Sequence, residues 1–134
     1  MARRINLSQI GSYSQEKYEK LLRAVVFETD SRLKQESPVD TGRFRLSWAI
    51  SEQGTPGYDA GPQTSPSGIT PPRRLDYQVE RAGGVYHIHN SLPYAYRLAY
   101  ENWSKQAPAG WTDRIAREMT AWAQQQAKRI GRED

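Results

Sequence analysis

Three short constellations in this chain carry residue types capable of chemistry. Asp40-Thr41-Gly42 is the tripeptide of aspartic proteases, and a protease built as a homodimer can be about this short. Its setting argues against that use. In those enzymes the tripeptide follows an apolar strand and leads into a loop, whereas here Ser37-Pro38-Val39 precedes it and a charged run beginning Arg43-Phe44-Arg45 follows. Asp, Thr and Gly also form tight turns for local reasons, so the expected element is a turn with a capping aspartate. The second constellation, His87-Ile88-His89, puts two imidazoles two residues apart, and a carboxylate at Glu80 would complete a divalent-metal set. No further strong ligand is evident on that face, Gln78 being a poor one, so the expectation is a polar, half-exposed sheet face and no metal. A protonatable pair there can also tune an interface near neutral pH. The third is a cluster of aromatics, Tyr94, Tyr96, Tyr100, Trp103 and Trp111, with Arg97 and Pro108 among them. Tyr, Trp and Arg are the residue types that dominate protein interfaces, so this cluster is the candidate assembly surface, core being its other reading. Gly83-Gly84 is not a phosphate loop, because it separates two strand-like runs and does not open a helix. No catalytic residue, cofactor or metal is expected.

These residues need elements to position them. From Ser14 to Glu36, Tyr18, Leu21, Leu22, Val25, Val26, Thr29 and Leu33 recur at the spacing of one helical face. Ser12 or Ser14 can cap the start, with Gln15 and Glu16 behind them. Glu16, Lys17, Glu19, Lys20, Arg23, Arg32 and Lys34 are expected on the solvated face. Pro38 disfavours helical dihedrals at Ser37 and ends the helix. After Gly42 the period changes to two: Phe44, Leu46, Trp48 and Ile50 against Arg45, Ser47, Ala49 and Ser51, which predicts a half-buried strand over 44–51.

Residues 54–72 hold five of the eight prolines and four of the ten glycines and predict an irregular loop of 19 residues, mobile or ordered by a partner. Residues 75–90 predict a hairpin about Gly83-Gly84 that pairs Ala82 with Val85, Glu80 with His87 and Val79 with Ile88, collecting Tyr77, Val79, Tyr86 and Ile88 on one face. A short helix follows Pro93, over 94–101, with Tyr94 and Leu98 on one side. A last helix is expected from an N-cap at Thr112, carrying Ile115, Met119, Trp122, Gln126 and Ile130, with Gln126 interrupting the stripe and Gly131 ending it.

The whole chain bounds the answer. Its 134 residues fit one domain, and an apolar content of 37% with a mean hydropathy of −0.86 is low for a monomer that stabilises itself alone. The expected organisation is an arm over 1–11, an α+β domain over 12–130 and a tail over 131–134. Cysteine is absent, which excludes disulfides and thiolate sites. No apolar run approaches about 18 residues and no leader is visible at Met1, so a soluble chain made inside the cell is expected. A net charge of +4 and pI near 9.5 favour contact with nucleic acid or an acidic protein without identifying either.

Pro38-Val39-Asp40-Thr41-Gly42-Arg43 after an N-terminal helix, with Pro93-Tyr94-Ala95 and Gln106-Ala107-Pro108-Ala109-Gly110 in order behind it, resembles the tail-completion or head-tail joining (neck) proteins of long-tailed bacteriophages. The resemblance runs from about Ser12 to Trp122. It implies a small α+β subunit without catalysis that forms a homo-oligomeric ring, a hexamer or dodecamer, at the neck or upper tail of the virion. That ring would join portal-side adaptor or head-completion proteins to the tail tube, with DNA passing through its lumen, and the subunit would be made in the host cytoplasm. The resemblance also marks Pro38, Asp40, Thr41, Gly42 and Arg43 as the family-type turn. The stretch over 54–72 is longer than the family pattern, and the arm over 1–11 has no counterpart in it. The expected fold is a small, mostly antiparallel sheet packed by a long N-terminal and a C-terminal helix. The rival reading is a basic nucleic-acid-binding module; a metalloenzyme using His87, His89 and Glu80 ranks behind both.

Overall fold

The predicted apolar face over 14–36 becomes α1, Gln15–Glu36, which buries Leu21, Leu22, Val25, Val26, Thr29 and Leu33. The computed structural model describes residues 15–37, 43–53, 71–90, 92, 95–101 and 108–132. The arm over 1–11, the caps at Ser12 and Ser14, Pro38, Asp40, Thr41 and Gly42, the side chain of Arg43, residues 54–70, Pro93, Tyr94 and Trp103 lie outside them. The elements run α1, α2 (Arg43–Leu46), β1 (Trp48–Ser51), β2 (His87–Asn90), α3 (Ala95–Tyr100) and α4 (Trp111–Gly131). The fold is α+β: β1 and β2 form a two-stranded antiparallel sheet, with Trp48 opposite Asn90 and Ile50 opposite Ile88, and the two long helices pack with it.

α1 and α4 lie antiparallel. Lys17 Nζ, near the start of α1, donates to the Gly131 carbonyl at the end of α4 (3.2 Å), while Glu36 at the end of α1 pairs with Arg114 in the first turn of α4. A cation on the free carbonyls of a helix C-terminus satisfies them and suits the dipole. The buried face of α4 is Trp111, Ile115, Met119, Ala123, Ala127 and Ile130. This corrects the expected stripe. Gln126 does not interrupt it, because the inward positions at that level are Ala123 and Ala127, whose small side chains let α1 approach closely; Trp122 packs at the edge. Thr112 is not the N-cap either. Gly110 holds that position at φ 83°, ψ 9°, a left-handed conformation that a residue with a Cβ adopts at a cost of about 1–2 kcal/mol.

The end of α1 is tied to the sheet. Ser37 Oγ donates to the Leu33 carbonyl (2.5 Å) and accepts from the indole Nε1 of Trp48 (2.8 Å), while Arg45 Nε donates to the Lys34 carbonyl (2.8 Å). Ser37→Ala leaves a buried indole N–H without its partner, so a destabilisation of about 1–3 kcal/mol is expected in denaturant unfolding, with no change in m-value.

The strand expected over 44–51 is shorter and more buried than its alternation implies. Residues 43–46 form the single helical turn α2, Ser47 N–H donates to the Phe44 carbonyl (3.1 Å), and all four residues of β1 are buried. Phe44 and Trp48 are four apart, so a helical turn keeps both on the core side as well as a strand does. Contact with Trp111 decides between them: Phe44, Trp48 and Trp111 meet edge to face in a mutual trio at centroid distances of 5.6, 6.3 and 6.3 Å.

The hairpin expected over 75–90 is not formed. β2 pairs with β1 instead, and residues 71–84 form an irregular strap that runs antiparallel to α1. Four contacts trace it: Lys34 Nζ to the Pro71 carbonyl (3.1 Å), a parallel bridge of Arg74 to Ile50 on the free edge of β1, Arg23 to the Glu80 carbonyl (3.4 Å), and Glu19 Oε2 accepting from Ala82 N–H (3.0 Å). Gly83, at φ 87°, occupies the third position of a turn closed by Gly84 N–H to the Arg81 carbonyl (3.1 Å), one residue before the turn that a hairpin would need. The strap gives β1 a neighbour on both edges, which a local hairpin would not.

Glu80 was expected on a half-exposed face opposite His87. It is fully buried, and Arg74 holds it bidentately, Nε to Oε2 at 2.7 Å and Nη2 to Oε1 at 2.9 Å, while the Tyr77 hydroxyl donates to Oε2. Burial pushes the Glu80 carboxyl up, but the bonds from Arg74 and Tyr77 outweigh it and its pKa falls below the ordinary carboxylate value. Asp76 is lowered too, because it accepts the backbone N–H groups of Glu52 (2.8 Å) and Gln53 (3.0 Å). A carboxylate lowered in the folded state stabilises above its unfolded pKa and is lost as pH falls through the folded one. The strap is therefore expected to detach first on acidification below about pH 4. Limited proteolysis within 71–84 at falling pH measures this, and Asp76→Asn should flatten the response; an unchanged acid limb in that variant counts against Asp76 holding the strap.

Candidate assembly interface

α3 is held from beneath by its own short apolar side. Leu98 and Ala99 are buried, the Leu98 carbonyl accepts the Trp111 indole N–H (2.9 Å) and the Ala99 carbonyl accepts Gly110 N–H (2.6 Å). The helix is thereby clamped to the start of α4, and its opposite side carries the exposed residues. Tyr96 is 60% exposed and stacks on Tyr100 at a centroid distance of 5.0 Å and a tilt of 41°. Tyr100 is half-buried and its hydroxyl donates to Asp113 Oδ1 (3.1 Å). Burial raises the Tyr100 phenol above its ordinary pKa, with the Asp113 carboxylate adding to the rise and Thr112 opposing it, so the group stays a neutral donor. Arg97 is exposed beside them.

The cluster expected from the sequence thus divides. Tyr96, Arg97 and Tyr100 come together on one surface, Pro108 is exposed at the approach to α4, and Tyr94 and Trp103 lie outside the described residues. Trp111 does not belong to the surface. It is 1% exposed and sits at the centre of the aromatic trio, so the reading of this residue as an interface anchor is corrected.

A second exposed apolar group was missed by sequence reasoning. Leu75, Val79 and Val85 on and just after the strap, and Phe27 on α1, are all more than a third exposed. Phe27 lies one turn from Arg23, whose guanidinium reaches the Glu80 carbonyl, so strap and Phe27 share a side of the molecule. Val79 had been assigned to the inner face of a hairpin, and the available contrary signals were Pro71-Pro72 and the opposite charges of Arg74 and Glu80. Tyr77 and Tyr86, expected on one face of the hairpin but four residues apart along it, are in contact at a centroid distance of 4.8 Å, both half-buried.

His87 and His89 share a face of β2 by strand alternation, opposite Ser51 and Ala49. Glu80 is engaged with Arg74 and Tyr77, and among the described residues no group of three His, Asp or Glu side chains is placed to hold a metal ion. No helix among the described residues is long and apolar enough to cross a membrane. The chain matches no protein-family model, and neither a curated protein nor a solved structure is significantly similar to it.

Proposed function

We propose that the chain is a structural subunit of a tailed-phage virion, forming a homo-oligomeric ring of six or twelve copies at the head-tail junction and acting by docking, without catalysis. In this reading it joins portal-side proteins to the tail. The order of Pro38 to Arg43, Pro93 to Ala95 and Gln106 to Gly110 along the chain supports it. The observation that carries the assembly part is Tyr96, a large aromatic left 60% exposed on a helix whose other side is clamped to the core. A ring contact is heterologous and needs two different patches per subunit. The Tyr96, Arg97 and Tyr100 surface supplies one, and the Leu75, Val79, Val85 and Phe27 group supplies the other.

Mass measurement and imaging of the concentrated protein, or of particles carrying it, test the reading. A closed ring is expected, and Tyr96→Ala with Arg97→Ala should weaken self-association by about thirty-fold or more, the effect of removing an interface hot spot. Rings that assemble unchanged from the double variant would remove α3 from the contact. A chain that stays monomeric and is absent from particles would overturn the function itself.

A further inference from the structure

The solvent side of α4 is basic. Arg117, Lys128 and Arg132 are exposed along it, Arg132 following the helix in helical conformation (φ −87°, ψ −9°). None of the three side chains has a hydrogen bond or ion pair to another described residue. At 3.6 residues per turn they fall on one stripe, with Ala121, Gln124 and Gln125 between them. Among the described residues no carboxylate lies within the stripe. The two on its flanks are engaged elsewhere, Asp113 with Tyr100 and Glu118 with Arg114. The exposed side of α1, by contrast, mixes Glu16 with Lys20 and pairs Arg32 with Glu28.

We infer that this face of α4 binds the phosphate backbone of duplex nucleic acid, without reading sequence. The chemistry selects that partner over an acidic protein. A protein interface is anchored by large apolar or aromatic side chains, and the stripe offers only Ala121, whereas phosphate contact needs cations and neutral hydrogen-bonding groups, which Arg, Lys and Gln supply. From Arg117 to Arg132 the helix rises about 22 Å, a span over which a duplex presents about thirteen phosphates. Phosphates are therefore within reach in any register. The inference rests on single-chain geometry and holds whether or not the chain forms a ring.

Fluorescence anisotropy of the full chain on a labelled duplex of roughly 30 base pairs and mixed sequence, titrated with salt, tests it. Three neutralised phosphates predict a log-log slope near −2.7, so affinity should fall about forty-fold between about 50 and 200 mM salt. The variant Arg117→Gln/Lys128→Gln/Arg132→Gln should lose most of that slope while melting at the wild-type temperature, and Lys20→Gln/Arg81→Gln, elsewhere on the surface, should keep it. Three results would each overturn the inference: no binding at low salt, an unchanged slope in the triple variant, or equal binding of poly-glutamate with the same salt dependence.

Discussion

Lys34→Met is expected to lower the unfolding free energy by about 3–5 kcal/mol, because it strands a buried carboxylate. Lys34 is 1% exposed and Asp30, one turn earlier on α1, is fully buried. Their charges meet at 2.8 Å, and Lys34 Nζ also donates to the Pro71 carbonyl, so one ammonium joins the helix to the strap. Against a total stability of about 5–15 kcal/mol, the single substitution brings the domain near its folding limit. Asp30→Ala/Lys34→Met should recover most of the loss, since a buried pair of charges replaced by apolar groups is often neutral. A double-mutant cycle in urea measures the coupling, and two additive losses below about 1 kcal/mol each would refute it.

Acidity provides a second check on the same pair. Burial holds the Asp30 carboxyl above its ordinary pKa, with Lys34 opposing. A carboxyl raised in the folded state binds its proton more tightly there, so its contribution to stability falls as pH rises from the unfolded pKa to the folded one. Removing Lys34 removes the opposing charge and widens that window. The deficit of Lys34→Met should therefore shrink on acidification, whereas wild-type protein, governed by the lowered Asp76 and Glu80, should weaken.

Trp111→Ala is expected to cost about 3–5 kcal/mol, the range for emptying a buried aromatic site. Phe44 and Trp48 each lose one of two edge-to-face partners and keep only each other, and the Leu98 carbonyl loses its indole donor, which loosens α3 as well as the core. Trp111→Phe should retain much of the ring packing and lose mainly the hydrogen bond, at about 1–3 kcal/mol. Equilibrium unfolding of the two variants separates these terms. A Trp111→Ala protein with wild-type stability and impaired self-association would return the residue to the surface reading.

The elements legible in the sequence were those whose pattern is local and long. Leu21 to Leu33 repeat over three turns and the helix end before Pro38 follows from backbone chemistry, so α1 and the body of α4 form where expected, although Gly131 lies within α4 and Arg132 continues in helical conformation. The short α3 was legible for the same reason. Half of the candidate interface was legible too: Tyr96, Arg97 and Tyr100 sit together because they lie on one short helix.

What failed was decided over distance. Gly83-Gly84 and the alternation around it are compatible with a hairpin, but β2 pairs with β1, some forty residues earlier, and the intervening strap is fixed by Arg74 on Glu80 and by Asp76 on the end of β1. Lys34 reads as a solvated lysine until Asp30 and Pro71 close around it. Trp111 reads as one of five neighbouring aromatics until Phe44 and Trp48 arrive from another part of the chain. Sequence by itself determined the two long helices, the short α3, the end of α1 before Pro38 and the α+β class, because periodicity and proline chemistry act within a few residues. Only the tertiary structure decided which strand pairs, which charges are buried and which aromatic faces solvent, because each of those outcomes depends on the desolvation that a distant segment imposes.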